Sequence, residues 1–247
     1  MKFLYNKYLE DLEQVDSKLN PDDYYLWPRT PIENIQEKII QRVGVSDYDV
    51  RNPRSRPAII IRQIRELIKY GFIGEDFSVI DICCGDAIVL WQIKKAFPLS
   101  FCYGVDLNKG KFSTHDIVQR DGVRIYKVFI QHLFRKDPDI PFDLALMLNT
   151  YRGWESADLR EHERDLPKLA DEWFKRNAKF TILTATTSQI ESLRQLGFKV
   201  KIIGRGEDNS KMICISLLKL PDSILDSWVY FLKNIVSYFR GRMKNMV

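Results

Sequence analysis

The chain has 247 residues, of which 45% are hydrophobic and 29% charged, with a formal net charge of +5. This balance is typical of a globular protein with a substantial core and argues against a disordered or fibrous chain. No apolar stretch approaches the roughly 20 residues that span a bilayer, and the acidic N-terminal segment lacks the apolar centre of a secretory signal. We therefore expect a cytoplasmic protein, with peripheral contact at a membrane as an alternative.

The first 77 residues carry helical patterns and no strand pattern. Apolar residues recur at helical spacing over residues 2–19 and 31–43, and a further helix is predicted from Ala58 to Tyr70, ending at Gly71. Residues 51–70 hold six basic side chains and one acidic side chain. That charge could attract an anionic group, or it could be the solvated face of a helix. We predict a helical N-terminal cap over residues 1–77.

From residue 78 onward, short apolar runs alternate with helical patterns. Nearly continuous hydrophobicity is typical of parallel strands that are covered on both faces. The alternation predicts a doubly wound α/β sheet. The strand-like runs are SVIDIC, FCYGVDL, VRIYKVFI, FDLALMLN and AKFTILTA, and the helical segments between them are IVLWQIKKAF, KFSTHDIVQR, ADLREHERDLPKLADEWFKR and SQIESLRQLG.

The last two strands break this rhythm. FKVKIIGRG and KMICISLLKL are separated only by the turn-rich stretch GRGEDNSK. Because a parallel crossover needs a dozen or more residues, these two strands must be antiparallel. We therefore predict a mostly parallel seven-stranded sheet over residues 78–220 that is closed by an antiparallel C-terminal hairpin.

Two acidic residues follow the first two strands of this sheet. Asp81 stands at the end of SVIDIC, followed by a turn at Gly85 and a helix, and Asp106 ends YGVDL. Ligands of open parallel sheets bind at the carboxyl ends of strands, where helix N–H groups are free. A carboxylate at the second strand can accept both hydrogen bonds of a ribose diol. Dinucleotide enzymes use the same device, so Asp106 alone indicates only an adenosine-containing ligand.

The loop after the first strand reads D-x-C-x-G-x-A, with small residues at Cys83, Gly85 and Ala87. A nicotinamide-binding loop would read G-x-G-x-x-G instead. The spacing resembles the acid-x-G-x-G-x-G motif of class I S-adenosylmethionine-dependent methyltransferases, with two glycines replaced. That family's Rossmann-like sheet also closes with an antiparallel last strand. The resemblance covers residues 78–220 and implies S-adenosylmethionine as cofactor.

The resemblance also implies roles for individual residues. Residues near the methionine end of the cofactor would be Asp81, Cys83, Gly85 and Ala87. Asp106 would hold the ribose. The adenine would lie against Leu107, with Phe129 and Ile130 on its other side, and Asn149 would face the reacting methyl group.

The acceptor would lie beside the loop TYRGWES, which follows the fourth strand. Asn149 and Tyr151 are the candidate catalytic residues because either could orient an acceptor, and Arg152 and Trp154 are candidate substrate-binding residues. We also expect Arg54 and Arg56 to hold an anionic group of the substrate. Ordinary loop packing and a solvated helix face are the respective alternatives.

The sequence therefore predicts transfer of a methyl group to an unidentified acceptor. A small-molecule or glycan-type acceptor is favoured over nucleic acid, because +5 is a weak charge for a phosphate-tracking surface. The motif N-P-P-Y, found in many nucleic-acid amino methyltransferases, is also missing from the sequence. Two alternatives stay open: a binding protein that keeps the fold without catalysis, and an NAD-dependent oxidoreductase.

Residues that commonly bind metals are scattered along the chain. The cysteines show no C-x-x-C spacing, so we expect free thiols, no disulfide and no metal site. The histidines show no pairing with a base or nucleophile and are interpreted as surface or capping residues. The residues concerned are Cys83, Cys84, Cys102, Cys214, His115, His132 and His162.

Residues 221–247 are predicted to form an amphipathic helix that is basic at its end. It could lie on a membrane surface, form a homodimer contact, or pack on its own domain. Its apolar stripe comprises Ile224, Trp228, Phe231, Ile235 and Phe239.

Overall fold

The computed structural model describes residues 2–16, 52–106, 114–128, 132–133, 141–148, 170–206 and 210–218. Its helices are α1 (Lys2–Asp16), α2 (Arg56–Lys69), α3 (Ile88–Ala96), α4 (His115–Arg120), α5 (Lys175–Asn177) and α6 (Thr187–Gln195), and a π-helical turn (Ala170–Phe174) leads into α5. Its strands are β1 (Ser78–Ile82), β2 (Phe101–Val105), β3 (Val123–Tyr126), β4 (Phe142–Met147), β5 (Ala178–Ala185), β6 (Lys199–Arg205) and β7 (Lys211–Ser216).

The strands form one seven-stranded sheet in the order β3-β2-β1-β4-β5-β7-β6. Strands β1 to β5 are parallel neighbours, whereas β7 runs antiparallel to both β5 and β6. The predicted doubly wound sheet with an antiparallel closing hairpin is confirmed. The order reverses at β1, which lies between β2 and β4, so the carboxyl end of β1 borders the switch point where such sheets bind ligands.

One face of the sheet is covered by α1 and by the residues around α5. Leu9 of α1 and Trp173 of the π-helical turn are fully buried there, together with Ile80, Tyr103 and Phe142 of the strands. The Tyr5 hydroxyl donates to the carbonyl oxygen of Pro141 at 2.5 Å, which attaches α1 to the start of β4. The first helix therefore contributes directly to the core.

The other face is covered by α2 and α3. The Ser55 hydroxyl caps α2 by accepting from the Ala58 N–H, and Pro57 lies in the first turn, where its missing N–H costs nothing. Ile60 and Ile64 of α2 and Leu90 of α3 are fully buried on this face. The helix predicted from Ala58 begins two residues earlier, at Arg56.

Some predicted elements differ in extent or lie elsewhere in the chain. The run VRIYKVFI forms a strand only to Tyr126, and the last strand ends at Ser216, after which Leu217 and Leu218 are about half exposed. The helices predicted over 31–43 and 221–247 lie outside the described residues and stay predictions. Among the residues that the structure describes, no helix is long and apolar enough to cross a membrane.

Candidate functional site

Asp81 lies at the carboxyl end of β1, opposite Gly104 of β2 and Leu146 of β4. Its side chain is buried, with 4% of its surface exposed. Within the described part of the chain it accepts no hydrogen bond. Burial, and secondarily the nearby charge of Asp106, raises the pKa of this carboxyl well above its usual range. Such a group gains most from a ligand that brings a positive charge or a hydrogen-bond donor.

The loop from Cys83 to Ala87, called the 83–87 loop below, follows directly. Its three small residues all adopt left-handed backbone conformations, with φ of 60° at Cys83, 54° at Gly85 and 59° at Ala87. Only glycine takes up this region without cost, so Cys83 and Ala87 adopt it against their own backbone preference. A Cβ atom added to Gly85 would have no described atom within 4 Å, so the space above this residue is open.

Helix α3 starts at the end of this loop. The Asp86 carboxylate accepts from the Ile88 N–H at 3.2 Å and satisfies one of the free amides of the first turn. Ala87 is fully buried beneath the turn. The loop therefore presents the amino end of α3 at the same edge of the sheet as Asp81.

Asp106 follows β2 and contacts the loop. Its Oδ2 atom accepts from the Gly85 N–H at 2.9 Å, and its own N–H donates to the Tyr126 carbonyl at 3.0 Å. Only 8% of its surface is exposed. The two sequence-predicted acids and the loop are thus brought together at one edge of the sheet. A carboxylate has about four lone-pair sites and can accept from more than one donor.

Two residues that sequence reasoning missed complete this site. The Thr114 hydroxyl donates to the Asp86 carbonyl at 2.8 Å, and His115 Nε2 lies 2.7 Å from the Gly85 carbonyl oxygen. The interpretation of His115 as a surface or capping residue is wrong, because only 1% of it is exposed and it contacts the loop. No local signal reveals this contact, since its partners are 30 positions apart. His132 is partly buried, and His162 lies outside the described residues.

Arg54 and Arg56 lie at the same edge of the sheet, on the side of β6. Contacts with β6 fix the direction of α2: Ile59 would meet a side chain added at Gly204, and Glu66 pairs with Lys201 at 2.6 Å. Since β6 runs parallel to β1 through its two antiparallel pairings, the amino end of α2 points to the carboxyl ends of the strands. The role of Arg54 and Arg56 in holding a substrate stays a prediction.

The other predicted site residues cannot be placed in the same way. Leu107, Phe129, Ile130, Asn149, Tyr151, Arg152 and Trp154 lie outside the described residues, and their roles stay predictions.

A cavity of about 300 Å³ lies at the opposite edge of the sheet, near the starts of the parallel strands β4 and β5. Lys175 and Lys179 line it, but each already pairs with an aspartate, at 2.5 Å in both cases. Their charges are therefore largely compensated. This cavity is remote from the carboxyl ends where Asp81 and Asp106 lie, and we do not assign it to the same site.

The four cysteines have the free thiols that the sequence predicts. Burial raises the pKa of Cys102 to about 11 and that of Cys214 to about 12. Such thiols are protonated at neutral pH and are poor nucleophiles. Among the described residues, no three His, Cys, Asp or Glu side chains cluster in a way that could hold a metal ion.

The strand order and the reversed last strand give the chain the fold of the class I S-adenosylmethionine-dependent methyltransferases. Solved structures with this fold resemble it at low sequence identity. The bifunctional kinase-methyltransferase WbdD aligns with a TM-score of 0.55 and 13% identity over 85% of this chain and 47% of that chain. The present chain thus spans about half the length of WbdD.

A putative class I S-adenosylmethionine-dependent methyltransferase from Listeria monocytogenes aligns with a TM-score of 0.50 and 13% identity, over 77% of this chain and 69% of that chain. No protein-family model and no curated protein matches the sequence. At these identities the comparisons establish the fold alone.

Proposed function

We propose that this protein is a methyltransferase that binds S-adenosylmethionine at the edge formed by Asp81, the 83–87 loop and Asp106. The observation that carries the proposal is the pair of buried carboxyl groups next to an open glycine turn. Asp106 fits a ribose diol, which supplies two donors. Asp81 fits the ammonium group of a methionine moiety, because it is a buried acceptor without a hydrogen-bond donor among the described residues.

The burial of Asp81 argues against a dinucleotide. A pyrophosphate bound at the amino end of α3 would offer this carboxyl neither a cation nor a hydrogen-bond donor, and its negative charge would disfavour ionisation of Asp81 further. A cofactor that combines an adenosine with cationic ammonium and sulfonium groups matches the site better. This electrostatic preference supports S-adenosylmethionine over NAD.

When bound, S-adenosylmethionine supplies a methyl group on a sulfonium, a donor that needs no further activation. The residues of this chain therefore have to bind, orient and exclude water. Asp106 and Asp81 would hold the ribose and the ammonium group of the cofactor, and the open space over Gly85 would leave room between them. Holding donor and acceptor at reacting distance can contribute roughly 7–11 kcal/mol. Asn149 and Tyr151 are proposed to orient the acceptor, with Arg152, Trp154, Arg54 and Arg56 binding it.

Equilibrium calorimetry tests the cofactor assignment. We expect wild-type protein to bind S-adenosylhomocysteine and not NAD. Asp106→Asn should weaken that binding by about 1.5–3 kcal/mol, the contribution of hydrogen bonds to a charged group. Lys95→Ala, which removes a surface pair with Asp121, is the matched control and should bind normally. Binding of NAD alone would favour the oxidoreductase, and binding of neither ligand would refute the proposal.

We further infer that the acceptor is a small molecule or glycan-type compound and not nucleic acid, a proposal supported by the modest charge of +5. Transfer of a labelled methyl group from S-adenosylmethionine into a cell extract tests this. Label in a fraction that resists nuclease treatment and has low molecular mass, or carries glycan, is expected. Label that nuclease digestion releases would overturn the proposed acceptor class. If the protein binds the cofactor but transfers no label, a binding protein without catalysis would be favoured.

A further inference from the structure

The 83–87 loop is held in shape by side chains that come from outside it. The Gly85 N–H is bonded to the Asp106 carboxylate, while the Gly85 carbonyl is bonded to His115 and the Asp86 carbonyl to Thr114. Both backbone polar groups of Gly85, and the carbonyl of the next residue, are therefore bonded by side chains from two places. Asp106 follows β2, and Thr114 and His115 stand at the start of α4.

His115 is buried at the position where it contacts the Gly85 carbonyl. It is 1% exposed, and a buried imidazole is costly unless its nitrogen atoms are hydrogen-bonded. The Gly85 carbonyl can only accept, so Nε2 must carry the hydrogen at the observed separation of 2.7 Å. Thr114 is also buried, at 4% exposure, and bonds the adjacent carbonyl. Consecutive side chains thus hold consecutive loop carbonyls.

The loop needs such support because it departs from the all-glycine pattern. Cys83 and Ala87 are side-chain-bearing residues at φ of 60° and 59°. Each left-handed residue of this kind is disfavoured by roughly 1–2 kcal/mol, and strained conformations persist only when the surrounding structure over-determines them. The bonds from His115, Thr114 and Asp106 meet that requirement at the residues between Cys83 and Ala87.

We propose that His115 is a positioning residue for the cofactor: its bond to the Gly85 carbonyl holds the 83–87 loop in the shape that binds the ligand. The test of this inference by ligand affinity rests on the proposed function, because it requires that the protein binds the cofactor. His115 acts through Gly85 and has no part in the transfer step itself. Its effect should therefore be on affinity for the cofactor and on the exchange of loop amides.

Three substitutions and a control separate positioning from general stability. His115→Leu fills the volume but removes the donor, His115→Gln places an amide donor near the original Nε2 position, and His115→Asn is too short to reach it. The control, Trp91→Phe, removes the indole donor to Asp121, 2.6 Å away at the other end of α4, and leaves the loop alone.

We expect the Kd for S-adenosylhomocysteine, measured by calorimetry, to rise about three- to tenfold in His115→Leu and His115→Asn, the usual contribution of one hydrogen bond. His115→Gln should restore most of the affinity, and Trp91→Phe should match wild type. If all four variants bind like wild type, the inference is wrong. If His115→Leu does not fold, the comparison of Gln with Asn decides: equal affinity of these two overturns the inference.

A wild-type protein that does not bind S-adenosylhomocysteine would refute the proposed function and leave this inference to a second measurement. Hydrogen exchange of the ligand-free protein then decides it. The Gly85 and Ala87 amides should exchange several-fold faster in His115→Leu than in wild type or His115→Gln. Equal protection in all three proteins would show that His115 does not hold the loop.

Discussion

Asp81 and Asp106 are two buried carboxyl groups at the carboxyl ends of the neighbouring strands β1 and β2. The ionised form of Asp81 is disfavoured by burial and by Asp106, so the folded state holds its proton more tightly than the unfolded state does. Stability then falls as the pH rises from the ordinary carboxyl range through the raised pKa of Asp81. Such a conflict is typical of groups retained for binding.

Asp81→Asn should therefore have opposite effects on stability and on binding. Relative to wild type, its melting temperature should increase as the pH is raised from 4 to 8, because only in the wild type does unfolding release a proton that the folded state holds on Asp81. Near pH 4, close to the ordinary aspartate pKa of about 3.9, that gain should vanish. The affinity for S-adenosylhomocysteine should fall by about tenfold or more at pH 7.5, since a charged partner of the ammonium group is lost.

Thermal melting across this pH range and calorimetry at pH 7.5 check both parts. A stability difference that does not change with pH would show that Asp81 is not the buried acid described above. Unchanged affinity would remove it from the cofactor site.

The 83–87 loop can lie against β2 only because residue 104 is a glycine. A Cβ atom there would be 2.7 Å from the Cys84 Sγ atom and 3.1 Å from Leu90 Cδ1. Cys84 and Leu90 are both buried, so neither can move without disturbing the face of the sheet that α3 covers. The glycine thus determines how closely the loop and α3 approach the strand.

Gly104→Ala should lower the free energy of unfolding by about 1–3 kcal/mol, the range for overpacking a core. The double variant Gly104→Ala/Cys84→Ala should recover part of this loss, because the nearest clashing atom is then gone. Cys84→Ala alone is the control. Chemical denaturation of the three variants measures the coupling, and strictly additive losses would contradict the close contact.

The element pattern could be predicted from the sequence because it depends on local periodicity and turn length. The short link before β7 indicated its antiparallel direction, and the acids at the ends of the first two strands indicated the edge at which the structure brings them together with the 83–87 loop. The contact of His115 with Gly85 could not be predicted, since it depends on how α4 packs against a loop 30 positions away. The same holds for the bond from Tyr5 to Pro141, which spans 136 positions.

Helix α1 packs into the core against one face of the sheet, although it ends about sixty residues before β1 begins. Leu9 is fully buried against one face, and the Tyr126 hydroxyl donates to Asn6 at 3.3 Å. Leu9→Ala should therefore destabilise the protein by about 2–5 kcal/mol. Lys7→Ala, an exposed position on the same helix, should have little effect.

Chemical denaturation of the two variants tests whether α1 belongs to the cooperative unit. A single transition shifted to lower denaturant for Leu9→Ala is expected. If Leu9→Ala and Lys7→Ala unfold alike, or if a separate early transition accounts for the loss, α1 would be a separable appendage. The predicted boundary of an N-terminal cap at residue 77 would then gain support.

We propose that a methyl-donor cofactor binds at Asp81 and Asp106, over the 83–87 loop. A crystal structure of the protein with S-adenosylhomocysteine would show where the ligand lies. We predict that the ribose hydroxyls lie within hydrogen-bond distance of the Asp106 carboxylate, and that the amino group of the ligand lies beside Asp81 or bonds it through one water molecule. A ligand bound elsewhere, or with its ribose away from Asp106, would contradict the account.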